Sequence, residues 1–267
     1  MFINNHSYFS LRYGTIAPES ILKMAQKRNI KTLALTDINN TSASLDFVRM
    51  APKYGVRPIL GVDFRNNGIQ QFIILAQNNN GFQQINTYLS NIISTQTSNI
   101  PKRAKTLEDT VVVYPYTKCK HFKLKRHEFW GVRIEHIPEL EYNRAFVNIS
   151  KFVILHTCSF RNKKDFNTHR LLRAIDQNTL LSKLSVNVQG QANDLYIDEI
   201  LLQCKFSAWP KLIENTYLLL NRCTISFDFE HIHSKNQETF SGNEKKDFQL
   251  LETLCKQGLP HRYPNPN

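Results

Sequence analysis

Three residues near the start of the chain, His6, Asp37 and Asp63, are of the types that hold a divalent metal. An imidazole and two carboxylates converging on one barrel mouth would make such a site. Each also has a plainer role: His6-Ser7 could cap a turn, Asp37 could cap the Ile38-Asn39-Asn40 turn, and Asp63 could pair with Arg57 or Arg65. A second group is basic. Lys118, Lys120, Lys123, Lys125 and Arg126 are interleaved with His121, Phe122 and His127, and no acid falls among them. Such a run could neutralise phosphates while an aromatic stacks on a base, or it could be a solvated loop. His231 and His233 alternate in a polar tract and read as exposed. GxSxG, GxxxxGK[ST] and HExxH motifs are all missing.

The scaffold for these residues alternates between strand and helix. Phe2–Asn4 is a short apolar entry, and Pro18 opens a helix with Ile21, Leu22, Met24 and Ala25 on one face. Residues 32–36 read as a buried strand. Leu45, Phe47, Val48 and Ala51 mark a second helix, closed by Gly55 as a left-handed cap. Strands at 57–64 and 71–76 precede a helix over 81–93, and 94–109 is a polar loop. Further strands are predicted at 110–114, 129–135, 152–155 and 224–229. Further helices are predicted at 139–149, 165–176, 195–205, 210–220 and 247–257, the last ending at Gly258. Strand–helix alternation with short connections gives an α/β fold with a mainly parallel sheet, open or closed. In either form ligands gather at the carboxyl ends of the strands, where His6, Asp37 and Asp63 stand.

Composition narrows the class. A length of 267 residues suits one large domain or two small ones, and 41% hydrophobic residues exclude wholesale disorder. No apolar run approaches the roughly 20 residues that a membrane-crossing helix needs. The first residues lack the basic and apolar segments of a secretory signal. The five cysteines, at 119, 158, 204, 223 and 255, form no CxxC pair and read as reduced thiols in a cytoplasm. The 34 Lys and Arg against 22 Asp and Glu give a net charge of +12, which invites an anionic partner.

The stretch His6-Ser7-Tyr8-Phe9-Ser10-Leu11-Arg12-Tyr13-Gly14 resembles the opening motif of the PHP (polymerase and histidinol phosphatase) family. The form it resembles is the one at the N-terminus of bacterial DNA polymerase III alpha subunits. Residues 34–40 are similar to the second motif and 55–64 to the third. Phe72 to Asn78, with Gly81, is similar to the strand and turn after it. Order and spacing agree over residues 1–90; the resemblance thins at 151–175 and 210–230 and lapses between 94 and 150. Residues 250–263 resemble the passage leading into the polymerase portion.

This resemblance implies a distorted (β/α)7 barrel over residues 1–230. Residues 231–267 would then be a polar linker and a helix leading toward a polymerase portion that this chain lacks. Active members bind several metals and hydrolyse phosphoesters. Here Asn4 stands for the first His of His-x-His, Ile38 for the His of Asp-His, and Arg133 where Glu is common. In the late motif, Thr157 and Ser159 replace the Asp and the His. His6, Asp37 and Asp63 remain, with His156 as an addition: too few ligands for catalysis, so the centre is expected to be vestigial. No catalytic residue is assigned, and the expected cofactor is at most one weakly bound divalent metal.

The implied role is in DNA replication, as the inactive PHP domain of a DNA-directed DNA polymerase, a nucleotidyltransferase whose polymerase site lies elsewhere. It would scaffold the polymerase and dock a proofreading exonuclease among the other polymerase III holoenzyme subunits. No membrane partner is expected, and DNA contacts are assigned to Lys118, Lys120, Lys123, Lys125 and Arg126. Two alternatives stay open: a stand-alone metal-dependent phosphoesterase or 3′–5′ exonuclease of this family, and a basic DNA-binding accessory module.

Overall fold

The computed structural model describes residues 1–94, 99–118, 122–143, 148–230 and 239–264. Two compact units emerge, Met1–Phe227 and Asp228–Asn267. In the first, β2 (Thr32–Leu35), β3 (Arg57–Asn66), β4 (Ile69–Ala76), β5 (Thr110–Pro115), β6 (Glu128–Val132) and β7 (Phe152–Ile154) form one sheet in that order. A short pair, β1 (Asn4–Asn5) and β8 (Thr157–Cys158), joins its two edges. Ala34 N–H donates to Phe2 O and Thr36 N–H to Asn5 O, which seats β1 beside β2. At the other edge the chain runs from β7 through Leu155, whose N–H donates to Val132 O, straight into β8. With β7 and β8 counted as one strand, seven strands curl into a ring. This is a (β/α)7 barrel distorted by β4, which runs antiparallel to both neighbours.

The hairpin between β3 and β4 turns on Asn67 and Gly68, with φ of 47° and 84°. Two successive left-handed residues make the tight connection whose twist suits two antiparallel strands. The register then slips between Phe64 and Arg65, so that Gln71 of β4 has no residue opposite. The barrel interior is filled by Ala34, Ile59, Ile73, Leu75, Val111, Val113, Phe129 and Val153 from β2 to β7, with Ile3 just before β1 and Leu155 just after β7. Leu219, Leu220 and Cys223, at the end of α7 (Pro210–Asn221), belong to the same cluster. A larger outer core lies between the strands and α1 (Pro18–Lys27), α2 (Ser44–Met50) and α3 (Asn79–Ser94). The helices α4 (Ile137–Tyr142), α5 (Lys163–Asp176) and α6 (Glu199–Lys205) complete this unit.

Several expected boundaries move. The strand expected over 129–135 stops at Val132, because Arg133 turns the chain into a short 3-10 segment whose His136 Nδ1 accepts from Arg133 N–H. The helix expected over 139–149 is Ile137–Tyr142, and residues 144–147 lie outside the described set. Residues 195–198 stay extended: Leu195 bridges to Phe160 and gives its carbonyl to His156, so that helix starts at Glu199. Residues 224–229 form no ladder; Thr224 N–H donates to Gln77 O and Ser226 N–H to Asn79 Oδ1, pinning them as coil.

The second unit is dominated by α8 (Glu244–Arg262), capped by Asn243 Oδ1, which accepts from Lys245 and Lys246 N–H. Gly258 does not end it, since its φ is not positive and the left-handed cap never forms. Cys158, Cys204, Cys223 and Cys255 are free thiols. Among the described residues no helix is long and apolar enough to cross a membrane.

Candidate active site at the carboxyl ends of the strands

His6, Asp37 and Asp63 all come to the carboxyl-end mouth of the barrel, and all three are buried. The loop after β1 is shaped by Gly14: a Cβ there would sit 1.7 Å from Ser7 O, so only glycine permits the crossing. Asp37 holds this loop shut. Its Oδ1 accepts from Ser7 N–H (2.7 Å) and Ser10 Oγ (2.7 Å), and its Oδ2 accepts from Ser7 Oγ (2.7 Å). Burial raises its carboxyl above the usual range, against the pull of those donors. Asp37 therefore caps the loop preceding it in the chain, not the turn that follows.

Asp63 sits in an ionic knot. Its Oδ2 accepts from Arg65 Nε (2.8 Å) and lies 2.7 Å from Arg65 Nη2, while His6 Nε2 stands 3.0 Å away and Asn4 Nδ2 3.3 Å away. Burial alone would raise this carboxyl, but the Arg65 guanidinium and the His6 hydrogen bond hold it far below the usual carboxylate range. Arg65 is itself buried, and the Asp63 carboxylate keeps it charged against that burial. Its Nη1 donates to Tyr13 OH (2.9 Å), and its guanidinium carbon lies 4.9 Å from the Tyr13 ring centre. Asn39 braces the arginine backbone, donating to Arg65 O and accepting from Arg65 N–H.

The residues standing in ligand positions take part in the same network. Asn4 Nδ2 donates to Thr157 Oγ1 (3.0 Å), and Ser159 Oγ shares a hydrogen bond with His6 Nδ1 (2.8 Å). Arg133 Nη1 donates to Thr157 Oγ1 (2.8 Å), and its Nη2 pairs with Asp194 (2.6 Å). Ile38 contributes a backbone N–H to Ser10 Oγ. His156 turns away, Nε2 donating to Leu195 O (2.8 Å), and burial lowers its basicity. On the inner face of α5, His169 Nδ1 donates to Tyr13 O (2.7 Å) and Nε2 accepts from Gly190 N–H (2.8 Å). Burial lowers its pKa to about 4.

Does this donor set fit a metal? Among the described residues no three His, Cys, Asp or Glu side chains are grouped to hold one. Of the Asp63 carboxylate only Oδ1 is unpartnered, and the neighbouring charge is a guanidinium that repels any cation. The residues present do not fit a divalent metal. The cations at this mouth are the guanidinium groups of Arg65 and Arg133.

The basic run does not stay together. Lys118 is half-buried, with Nζ donating to the carbonyl and Oε1 of Gln71, the residue skipped in the register, and burial lowers its basicity. Lys120 lies outside the described residues, as do His121, His231 and His233. Lys123, Lys125 and Arg126 are exposed at the opposite end of the barrel, just before β6. Phe122 packs on Trp130 and Tyr114 within the outer core, so it does not offer its face to a base.

Tyr13, Arg65, His169 and Asp194 carry much of the site: Tyr13 stands in the opening motif without an assigned role, Arg65 is one of two foreseen partners of Asp63, and His169 and Asp194 fall outside every motif. For Arg65 a signal existed. Residues 63 and 65 share one face of a strand, whereas Arg57 is six residues, roughly 20 Å, away.

Comparison with known proteins places this barrel in a class. Residues 3–126 match the PHP domain family, and the chain carries a PHP domain over that span. It resembles, across nearly its whole length, proteins named DNA polymerase III subunit alpha. The one from Ureaplasma parvum is 24% identical over 97% of this chain and 24% of its own length. The one from Buchnera aphidicola subsp. Schizaphis graminum is 22% identical over 82% of this chain and 22% of its own length. An error-prone DNA polymerase of Symbiobacterium thermophilum is 31% identical over 97% of this chain and 28% of its own length. The chain thus spans about a quarter of the length of these relatives. Among solved structures, a putative metal-dependent phosphoesterase from Bifidobacterium adolescentis aligns with 76% of this chain and 95% of its own, with a TM-score of 0.30 and 11% identity.

Proposed function

We propose that this chain is a non-catalytic PHP domain of the replicative DNA polymerase III alpha type. In this reading it scaffolds the polymerase portion, docks a proofreading exonuclease and works within a polymerase holoenzyme in DNA replication. The observation that carries the loss of catalysis is the Asp63–Arg65 pair, 2.7 Å long and buried on both sides. Phosphoester hydrolysis by metals needs carboxylates free to bind them and a water polarised between them. Here a fixed guanidinium neutralises one carboxylate, and hydroxyl and amide donors claim the other.

The test is direct. The purified chain, supplied with Mn²⁺ or Zn²⁺, is expected to release no nucleotide from a DNA 3′ end. Release that an Asp37→Asn change abolishes would sink the reading. For docking, the exonuclease subunit of the same organism should be retained by the immobilised chain at micromolar concentration; failure to retain it removes the docking claim and leaves the catalytic claim standing.

A further inference from the structure

The exposed part of the basic run has neighbours that are distant in sequence. Lys123, Lys125 and Arg126 precede β6, Lys151 precedes β7, and Arg222 follows α7, all at the amino-end face opposite the ionic knot. Lys151 ties the segments together: its Nζ donates to Arg126 O, lies 3.5 Å from Lys125 O, and sits 4.8 Å from the Phe129 ring centre. Arg103 anchors the loop from the other side, donating to Lys123 O (2.9 Å) and to Glu128 Oε2 (2.9 Å). Burial lowers the basicity of Lys151, and Arg222 and Arg126 lower it further, which fits these cations sharing one surface.

The acids at this end are Glu108 and Asp109, exposed before β5, with Asp109 Oδ2 accepting from Asn80 Nδ2 (2.9 Å), and Glu128. Glu128 is buried and already engaged by Arg103, the Tyr114 hydroxyl and Lys125 N–H. Among the described residues Lys123, Lys125, Arg126 and Arg222 make no ion pair. The only aromatic inside the run, Phe122, is turned into the core beneath the Arg103 guanidinium. What remains on the surface is four cations without an ion-pair partner among the described residues, on a braced backbone, with Lys125 Nζ donating to Thr106 Oγ1 (2.7 Å).

We propose that this amino-end face binds the phosphodiester backbone of nucleic acid, independently of sequence, through Lys123, Lys125, Arg126 and Arg222. Four phosphate contacts predict a log–log salt slope near −3.6 on duplex DNA, or about a 150-fold loss of affinity between 50 and 200 mM salt, and a slope near −2.8 on a single strand. The measurement is fluorescence anisotropy of the full chain with a labelled DNA duplex and with the corresponding single strand. The variant Lys125→Gln/Arg126→Gln/Arg222→Gln should weaken binding at least tenfold and reduce the slope by about 2.7 on the duplex and about 2.1 on the single strand. A variant with the same charge loss elsewhere, Lys163→Gln/Lys164→Gln/Lys183→Gln, should leave the slope unchanged. Binding of either DNA form with this pattern supports the proposal, and the ratio of the two affinities says which form is preferred. Equal losses in both variants would reduce the effect to net charge and overturn the site. Equally tight binding of poly-glutamate, or no binding at low salt, would overturn it too.

Discussion

The two ends of the barrel handle charge in opposite ways. At the carboxyl ends the main charges are drawn inward and paired or hydrogen-bonded: Asp63 with Arg65, half-buried Arg133 with Asp194, Asp37 with three donors. At the amino ends Lys123, Lys125, Arg126 and Arg222 are exposed and make no ion pair among the described residues. A buried pair is costly to break, because either partner left alone is a charge in a low dielectric. An exposed cation costs almost nothing to keep and is free to meet an anion from outside. The mouth, where ligands of such barrels gather, is held by internal pairs, and the opposite end carries charge open to a partner.

That contrast can be broken most severely at Arg65. Arg65→Met is expected to cost about 3–5 kcal/mol in urea unfolding, and adding Asp63→Asn should recover much of it, since the uncompensated charge goes with it. Full additivity of the two changes would show that the pair is not the organising contact.

The next largest effect is acid sensitivity. His169 is held at about 4 in the folded chain, against 6.5 when unfolded. The unfolded chain therefore binds the extra proton between those values, so stability is full above pH 6.5 and falls toward pH 4, by on the order of 3 kcal/mol. Asp63 adds a further loss only below the ordinary carboxylate range, as pH falls through its depressed value. Denaturation midpoints from pH 7.5 to pH 4.5 measure the first loss, and His169→Gln should flatten it.

Thr157→Val is a smaller intervention at the same end. It removes the acceptor shared by Asn4 and Arg133 and should cost about 1–3 kcal/mol by thermal or urea unfolding. At the other end Lys125→Gln/Arg126→Gln should change unfolding stability by less than about 0.5 kcal/mol. A larger cost there would mean that these cations are structural after all, and the contrast between the two ends would collapse.

Much of the barrel is legible in the sequence because hydrophobic period carries it: the helix faces at Ile21–Ala25 and Phe82–Leu89 and the strand at 32–35 lie where the pattern puts them. The Asn67-Gly68 hairpin was also readable, and with it the reversal of β4, although strand–helix alternation draws attention away from it. The partnerships of the site were less so. His6, Asp37 and Asp63 are found by type and position, but whether a carboxylate faces a metal or a guanidinium depends on which side chain fills the space beside it. Tyr13, His169 and Asp194 lie on three separate segments that only the closed ring brings together. The split of the basic run follows from β5 and β6 being parallel, since Lys118 comes after the first and Lys123 to Arg126 before the second, a pairing direction that no local pattern announces.

The pairing of Asn4 with Thr157 has a bearing on how the chain can be cut. The family match ends at residue 126, yet the partner of the first strand begins some thirty residues later. A fragment trimmed to the matched span would keep β1 to β5 and present two raw strand edges, at β1 and β5, to any other copy it met. Such a fragment should aggregate, whereas one carried through Cys223 retains both the closing strand and the helix end that fills the base of the barrel.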